Sequence, residues 1–116
     1  MSKIIIENKS FDFAVRIVNL YKHLTENKKE FVLSKQLLKC GTSIGANVSE
    51  AQKAQSEADF ISKLYIALKE AYETQYWLKL LYKTDYLTES EFQSIEKDAT
   101  ELVAMLTAIT KKMKQK

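Results

Sequence analysis

This chain of 116 residues contains no proline and only two glycines. Those residues are the usual means of breaking a helix or turning a chain sharply. Their scarcity restricts the fold to long helices joined by short connections. Both glycines fall in one stretch, KCGTSIGANVSE, as Gly41 and Gly45. They lie one helical turn apart inside a segment with helical apolar spacing, so the helix must gain something from them.

The spacing of apolar residues predicts four helices, over about residues 11–27, 30–55, 57–84 and 89–113. In the first, Phe13, Ala14, Ile17, Leu20, Tyr21 and Leu24 recur in steps that suit one buried face, with Ser10 as the expected N-cap. The second carries Leu33, Leu37, Cys40, Ile44, Val48 and Ala51, and this stripe runs straight through both glycines. Ser56-Glu57-Ala58-Asp59 opens the third as a weaker relative of the capping box, and Phe60, Leu64, Leu68, Ala71, Leu78 and Tyr82 form its expected core face. Thr88-Glu89-Ser90-Glu91 is a full capping box for the fourth. Phe92, Ile95, Ala99, Leu102, Leu106, Ile109 and Met113 then alternate by three and four, and the tail KKMKQK is expected to fray.

Four amphipathic helices with short links predict a single all-α domain, an antiparallel up-down-up-down bundle spanning residues 1–116. The 46% hydrophobic and 28% charged composition is too apolar for disorder and suits one modest core.

An interior glycine costs roughly 0.8–1 kcal/mol against alanine in a helix. Gly41 and Gly45 fall on the edge of the Leu37, Ile44 and Val48 stripe, nearly in line with Ser34 and Gln52. Such a strip of low relief permits close helix packing, which also involves Ser43 and Asn47. The neighbour is a helix of the same bundle or one of a second subunit; a kink or a ligand-approach site is the third reading. Asn47 borders the core and needs hydrogen-bond partners there.

The third helix is apolar on two sides. Opposite its core stripe lie Tyr65, Tyr72 and Tyr76, with Ile66, Trp77 and Leu80 beside them. A lone bundle normally shows charge there, so an oligomer interface through Tyr65, Tyr72, Tyr76, Trp77 and Leu80 is expected. Alternatives are a stacking platform for bases, with Lys69, Lys79 and Lys83 nearby, or intrachain packing with exposed hydroxyls.

Catalysis has no visible basis. His23 and Cys40 are each the sole residue of their type, which excludes the usual zinc sites, and no Glu-x-x-His pair occurs. Phosphate loops and dinucleotide fingerprints are absent, so no cofactor is expected. Glu50, Glu70 and Glu73 read as solvated or ion-paired carboxylates, and His23 as exposed. Net charge is +3, and Lys22, Lys28, Lys29, Lys35, Lys39 and Lys53 are candidate nucleic-acid contacts, with a further basic run in the tail. A single cysteine and an apolar start of only three residues, with no membrane-length stretch, predict a cytoplasmic protein.

The run SKQLLKCGTSIGANVSEAQKAQSEADFISKLYIALKEAYETQYWL resembles the bacterial four helix bundle protein family, also called the 23S rRNA intervening-sequence protein family. The resemblance rests on Ser43-Ile44-Gly45-Ala46-Asn47-Val48 with Glu50, on Asp59-Phe60, on Ala67-Leu68-Lys69-Glu70 and on Tyr76-Trp77-Leu78. It implies a left-handed bundle whose copies form a ring, characteristically a homopentamer. It implies little about activity. A similar bundle serves as the accessory protein of diversity-generating retroelements, which suggests an RNA- or nucleoprotein-associated role. A protein-interaction scaffold without nucleic acid is the alternative.

Overall fold

A computed structural model of the protein describes residues 3–114. They form four helices, α1 (Lys3–Glu26), α2 (Leu33–Ala51), α3 (Glu57–Lys83) and α4 (Glu89–Lys114), and no strand is present among them. At about 1.5 Å per residue the longest helix spans roughly 40 Å. The helices therefore lie along the 46 Å dimension of a particle only 21 by 19 Å across. Each helix packs on the next in sequence and α1 also meets α4, while the backbones of α1 and α3, and of α2 and α4, stay apart. This all-α arrangement is consistent with a four-helix bundle.

The predicted boundaries of α3 and α4 hold to within one residue, because their caps are local. Ser56 Oγ accepts from the Asp59 N–H at 3.0 Å. At α4 the Thr88 N–H donates to Glu91 Oε1 and the Glu91 N–H donates back to Thr88 Oγ1, a reciprocal pair that pulls the Glu91 carboxyl below its usual range.

The first helix departs from expectation. It begins near Lys3 and not at Phe11, so Ser10 is not a cap but a buried residue inside α1. Ile6, Ser10, Phe13 and Ile17 share one buried face, and the Ser10 hydroxyl donates to the Glu7 carbonyl one turn back. That bond satisfies the group internally and lets a polar residue occupy a core position.

The second helix is shorter than expected, 33–51 in place of 30–55. Glu30 lies outside it and folds back as its cap. Its carboxylate accepts from the N–H groups of Val32, Leu33 and Ser34 at 3.1, 2.9 and 2.6 Å, and the Ser34 hydroxyl donates to the Glu30 carbonyl. The expected fraying over 111–116 is also corrected: α4 stays helical to Lys114, and residues 115 and 116 lie outside the described residues.

Core residues come from all four helices, among them Phe13, Ile17, Leu37, Ile44, Leu64, Leu78, Leu102 and Leu106. In α3 the buried face is turned from the expected one. Ala67, Thr74 and Leu81 are buried, whereas Leu68 and Tyr82 sit at the margin. Tyr82 stacks on Phe92 of α4 with ring centroids 4.6 Å apart.

The glycines serve close packing within the chain. A β-carbon at Gly41 would stand 2.7 Å from Ile17 Cγ1 and 2.9 Å from both Cδ1 and Cγ2. One at Gly45 would stand 3.1 Å from the Ser10 carbonyl oxygen. Both contacts are to α1. Ser43 and Asn47 do something else: Asn47 Nδ2 donates to the Ser43 carbonyl and hydroxyl, a bond along the helix itself.

Candidate functional site

The face of α3 that points away from the core carries the tyrosines together. Tyr65, Tyr72 and Tyr76 are 41%, 54% and 60% exposed, and Ile66 is also exposed. Their spacing of seven and four residues keeps them in one row along the helix. Trp77 and Leu80 are half-buried at its margin. Trp77 packs against the core, meets Tyr76 edge-on at 5.0 Å, and donates its indole N–H to Glu73.

A second apolar row escaped the sequence reading. Phe11, Val15 and Val18 of α1 are exposed, Phe11 by 67%. Their steps of four and three were the available signal, masked because Phe13, Ile17, Leu20 and Leu24 make a stronger stripe on the opposite side. Beside Phe11 lies a hollow of about 390 Å³ between α1 and α2, lined by Glu7, Asn8, Phe11, Asp12, Gly45 and Ser49.

All six candidate lysines, Lys22, Lys28, Lys29, Lys35, Lys39 and Lys53, are exposed. Lys28 and Lys29 occupy the α1–α2 corner with Lys35 in the first turn of α2, but Lys53 lies past the other end of that helix. At about 1.5 Å per residue, 18 residues separate Lys35 and Lys53 by roughly 27 Å. The lysines are therefore a corner group with outliers and not a continuous patch. Glu50, which interrupts them, pairs with Lys63 of α3 at 3.2 Å.

His23 is not exposed as expected. It is half-buried in a groove of about 470 Å³ between α1 and α4, which Arg16, Asn19, Ser90, Glu91 and Ser94 also line. Its Nδ1 meets Asn27 Nδ2 at 2.9 Å, while Nε2 is buried without a protein partner. Arg16 is committed elsewhere in the groove, to Asp98 at 2.7 Å and to Ser94.

Burial pushes the Cys40 thiol up to about 11, so the thiolate that a nucleophile requires is disfavoured. Burial, reinforced by Glu73, also raises the Glu70 carboxyl, and burial raises that of Glu96 against the pull of Lys79. Among the described residues no group of His, Cys, Asp and Glu is placed to hold a metal ion, and no helix is long and apolar enough to cross a membrane.

A family model described as 23S rRNA-intervening sequence protein matches residues 2–108 of the chain. Among solved structures, the chain is similar to a 1.70 Å crystal structure from Bacteroides thetaiotaomicron VPI-5482, a protein with unknown function from the S23 ribosomal protein family. The two are 58% identical with a TM-score of 0.94, over 96% of this chain and 99% of that one. No curated protein matches.

Proposed function

Given that the chain belongs to the 23S rRNA-intervening sequence protein family, we propose that it is a non-enzymatic bundle that works as a ring of identical copies, an accessory to RNA or to a nucleoprotein. The observation that carries this reading is the row of water-exposed tyrosines on α3. Tyrosine rings bring large apolar area, and a contiguous exposed row of them suits an interface better than a solvated face.

The proposed topology is up-down-up-down. Pairs that run in opposite senses support it for α1 with α2, Ile17 with Gly41 and Ser10 with Gly45, and for α3 with α4, Gln75 with Thr100 and Tyr82 with Phe92. The helices α2 and α3 are joined by the short link 52–56, across which Glu50 pairs with Lys63. The left hand of the bundle and the number five rest on the family resemblance.

Assembly is what makes the modest charge useful. Each copy carries +3, so five carry +15, and binding to a phosphate backbone strengthens with the number of charges engaged. The lysines at the α1–α2 corner would recur around the ring. A cytoplasmic setting fits this role.

Two measurements test the proposal. Light scattering at micromolar concentration gives several copies for the native chain and fewer for Tyr72→Lys or Tyr76→Lys. Fluorescence anisotropy with a structured RNA and a duplex DNA then gives micromolar binding at about 50 mM salt that falls steeply by about 200 mM. Absence of binding at the lower salt removes the nucleic-acid role and leaves the scaffold reading.

A further inference from the structure

A ring needs two different surfaces on each copy, because a head-to-tail contact joins one patch to another. The α3 row supplies one. We infer that the outer face of α1, formed by Phe11, Val15 and Val18 with the hollow beside Gly45, receives the α3 tyrosines of the next copy. This rests on the ring reading above and names the half of the contact that reading lacks.

Three observations lead to it. Both rows are apolar, exposed and without cover in the single chain. They also lie on helices whose backbones do not approach each other, so one copy cannot join them to itself.

The second observation is height along the bundle. Ser10 of α1 is level with Gly45 of α2, which puts residue 5 level with Glu50, and Glu50 pairs with Lys63 of α3. By the other route, Arg16 meets Asp98 of α4, two residues from Thr100, which pairs with Gln75 of α3. Both routes set residues 16–17 of α1 opposite residues 74–77 of α3, within about one helical turn. Val15 and Val18 therefore stand level with Tyr72 and Tyr76. Two complementary faces at equal height meet by pure rotation about an axis parallel to the helices. No axial slide is needed, and that is the condition for closure into a ring rather than growth into a filament.

The third is shape and charge. The hollow beside Phe11 has room for an aromatic ring and is flanked by the acids Glu7 and Asp12. The tyrosine row is flanked by Lys69 and Lys83, both exposed. At the level of Phe11 the acids Glu7 and Asp12 would meet Lys69, which favours the head-to-tail pairing over tyrosine face against tyrosine face. Lys22, one turn beyond Val18, and Glu73, beside Tyr72, carry the opposite signs on the two faces.

The test uses two variants that each spoil one face with the same charge, Val15→Lys on α1 and Tyr72→Lys on α3. Both positions are exposed, and circular dichroism with a thermal scan checks that each variant folds; Val18→Lys replaces Val15→Lys if it does not. Light scattering should show that each variant alone has lost the ring. Mixed one to one, they should form a two-copy complex and nothing larger, because each contributes its single intact face. If Val15→Lys and Val18→Lys keep the native size while Tyr72→Lys does not, the α1 assignment is wrong and the α3 interface stands. If neither face's variants change a multi-copy size, the tyrosine row is not an interface and the observation that carries the ring reading falls; a single-copy native chain overturns the ring itself. Two disrupted variants that ignore each other on mixing overturn the head-to-tail pairing.

Discussion

The chain puts glycine where its backbone is ordinary α-helix, at Gly41 and Gly45, and puts Lys29 and Asp85 where its backbone is left-handed, with φ of 56° and 69°. Glycine is usually chosen for the second kind of position, since it alone enters it without a steric cost. The inversion separates the two properties of the residue. In α2 its absent side chain matters, because α1 comes within contact distance of where a β-carbon would be. At the corners the missing glycine leaves a small strain that the neighbouring structure holds in place.

The contrast breaks most sharply at Gly41. Three atoms of Ile17, a side chain with no exposed surface, already crowd the place of a single added carbon. Gly41→Leu adds four carbons and should cost about 3 kcal/mol or more, enough to spoil folding. Gly41→Ala should cost less, about 0–2 kcal/mol, because overpacking is offset by roughly 1 kcal/mol of helix propensity. Urea denaturation measures both, and Ile17→Ala, which removes all three crowding atoms, should cost less in Gly41→Ala than in the native chain. Gly45→Ala should cost about 0–1 kcal/mol, since the Ser10 carbonyl 3.1 Å away is backbone that yields only if α1 shifts, while helix propensity offsets roughly 1 kcal/mol of that. Native stability in Gly41→Leu would show that bulk is not what the glycine avoids.

At the α1–α2 corner the next largest effect belongs to Glu30. Burial alone would raise its carboxyl, but the N–H groups of Leu33, Ser34 and Val32 outweigh that and hold it below the usual range. A carboxyl lowered by folding stabilises the fold above its unfolded value, about 4.3, and that contribution disappears as pH falls through the folded value. Glu30→Ala should therefore cost about 2 kcal/mol at pH 7. The gap to the native chain should stay constant down to about pH 5 and close below about pH 4. Denaturation midpoints across that range give the answer; a gap that persists at low pH would assign the loss to packing.

These positions also mark what could be read in the chain. The boxes at Ser56 and Thr88 were legible because the cap hydroxyl and the N–H that donates to it lie three residues apart in sequence. Glu30 was not, since an acid ahead of an apolar stripe looks like a first helical residue until its carboxylate is seen turned onto the backbone. Ser10 misled for a related reason: a serine before an apolar run looks like a cap, and its burial depends on α2 arriving with no side chain at Gly45. The tyrosine row was legible because nothing else on α3 explained it. The row on α1 was hidden by a stronger stripe on the same helix. Height, which decides whether the two rows can meet, exists only once the helices are packed.

The smallest effect lies at the two corners and has the opposite sign. At the end of α3 the Tyr86 N–H bonds the Leu81 carbonyl and the Asp85 N–H bonds the Tyr82 carbonyl, the Schellman pattern with Asp85 in the position that favours glycine. A left-handed residue with a side chain costs roughly 1–2 kcal/mol, and glycine removes that while adding about 0.4–1 kcal/mol of unfolded-chain entropy. Asp85→Gly and Lys29→Gly should each gain about 0.5 kcal/mol, a rise of a few degrees in Tm by calorimetry. Combining either with Gly41→Ala would leave glycine content unchanged while moving the residue from helix to corner. If only bulk matters in α2 and only dihedral freedom at the corner, the two changes should add, because no contact links the sites.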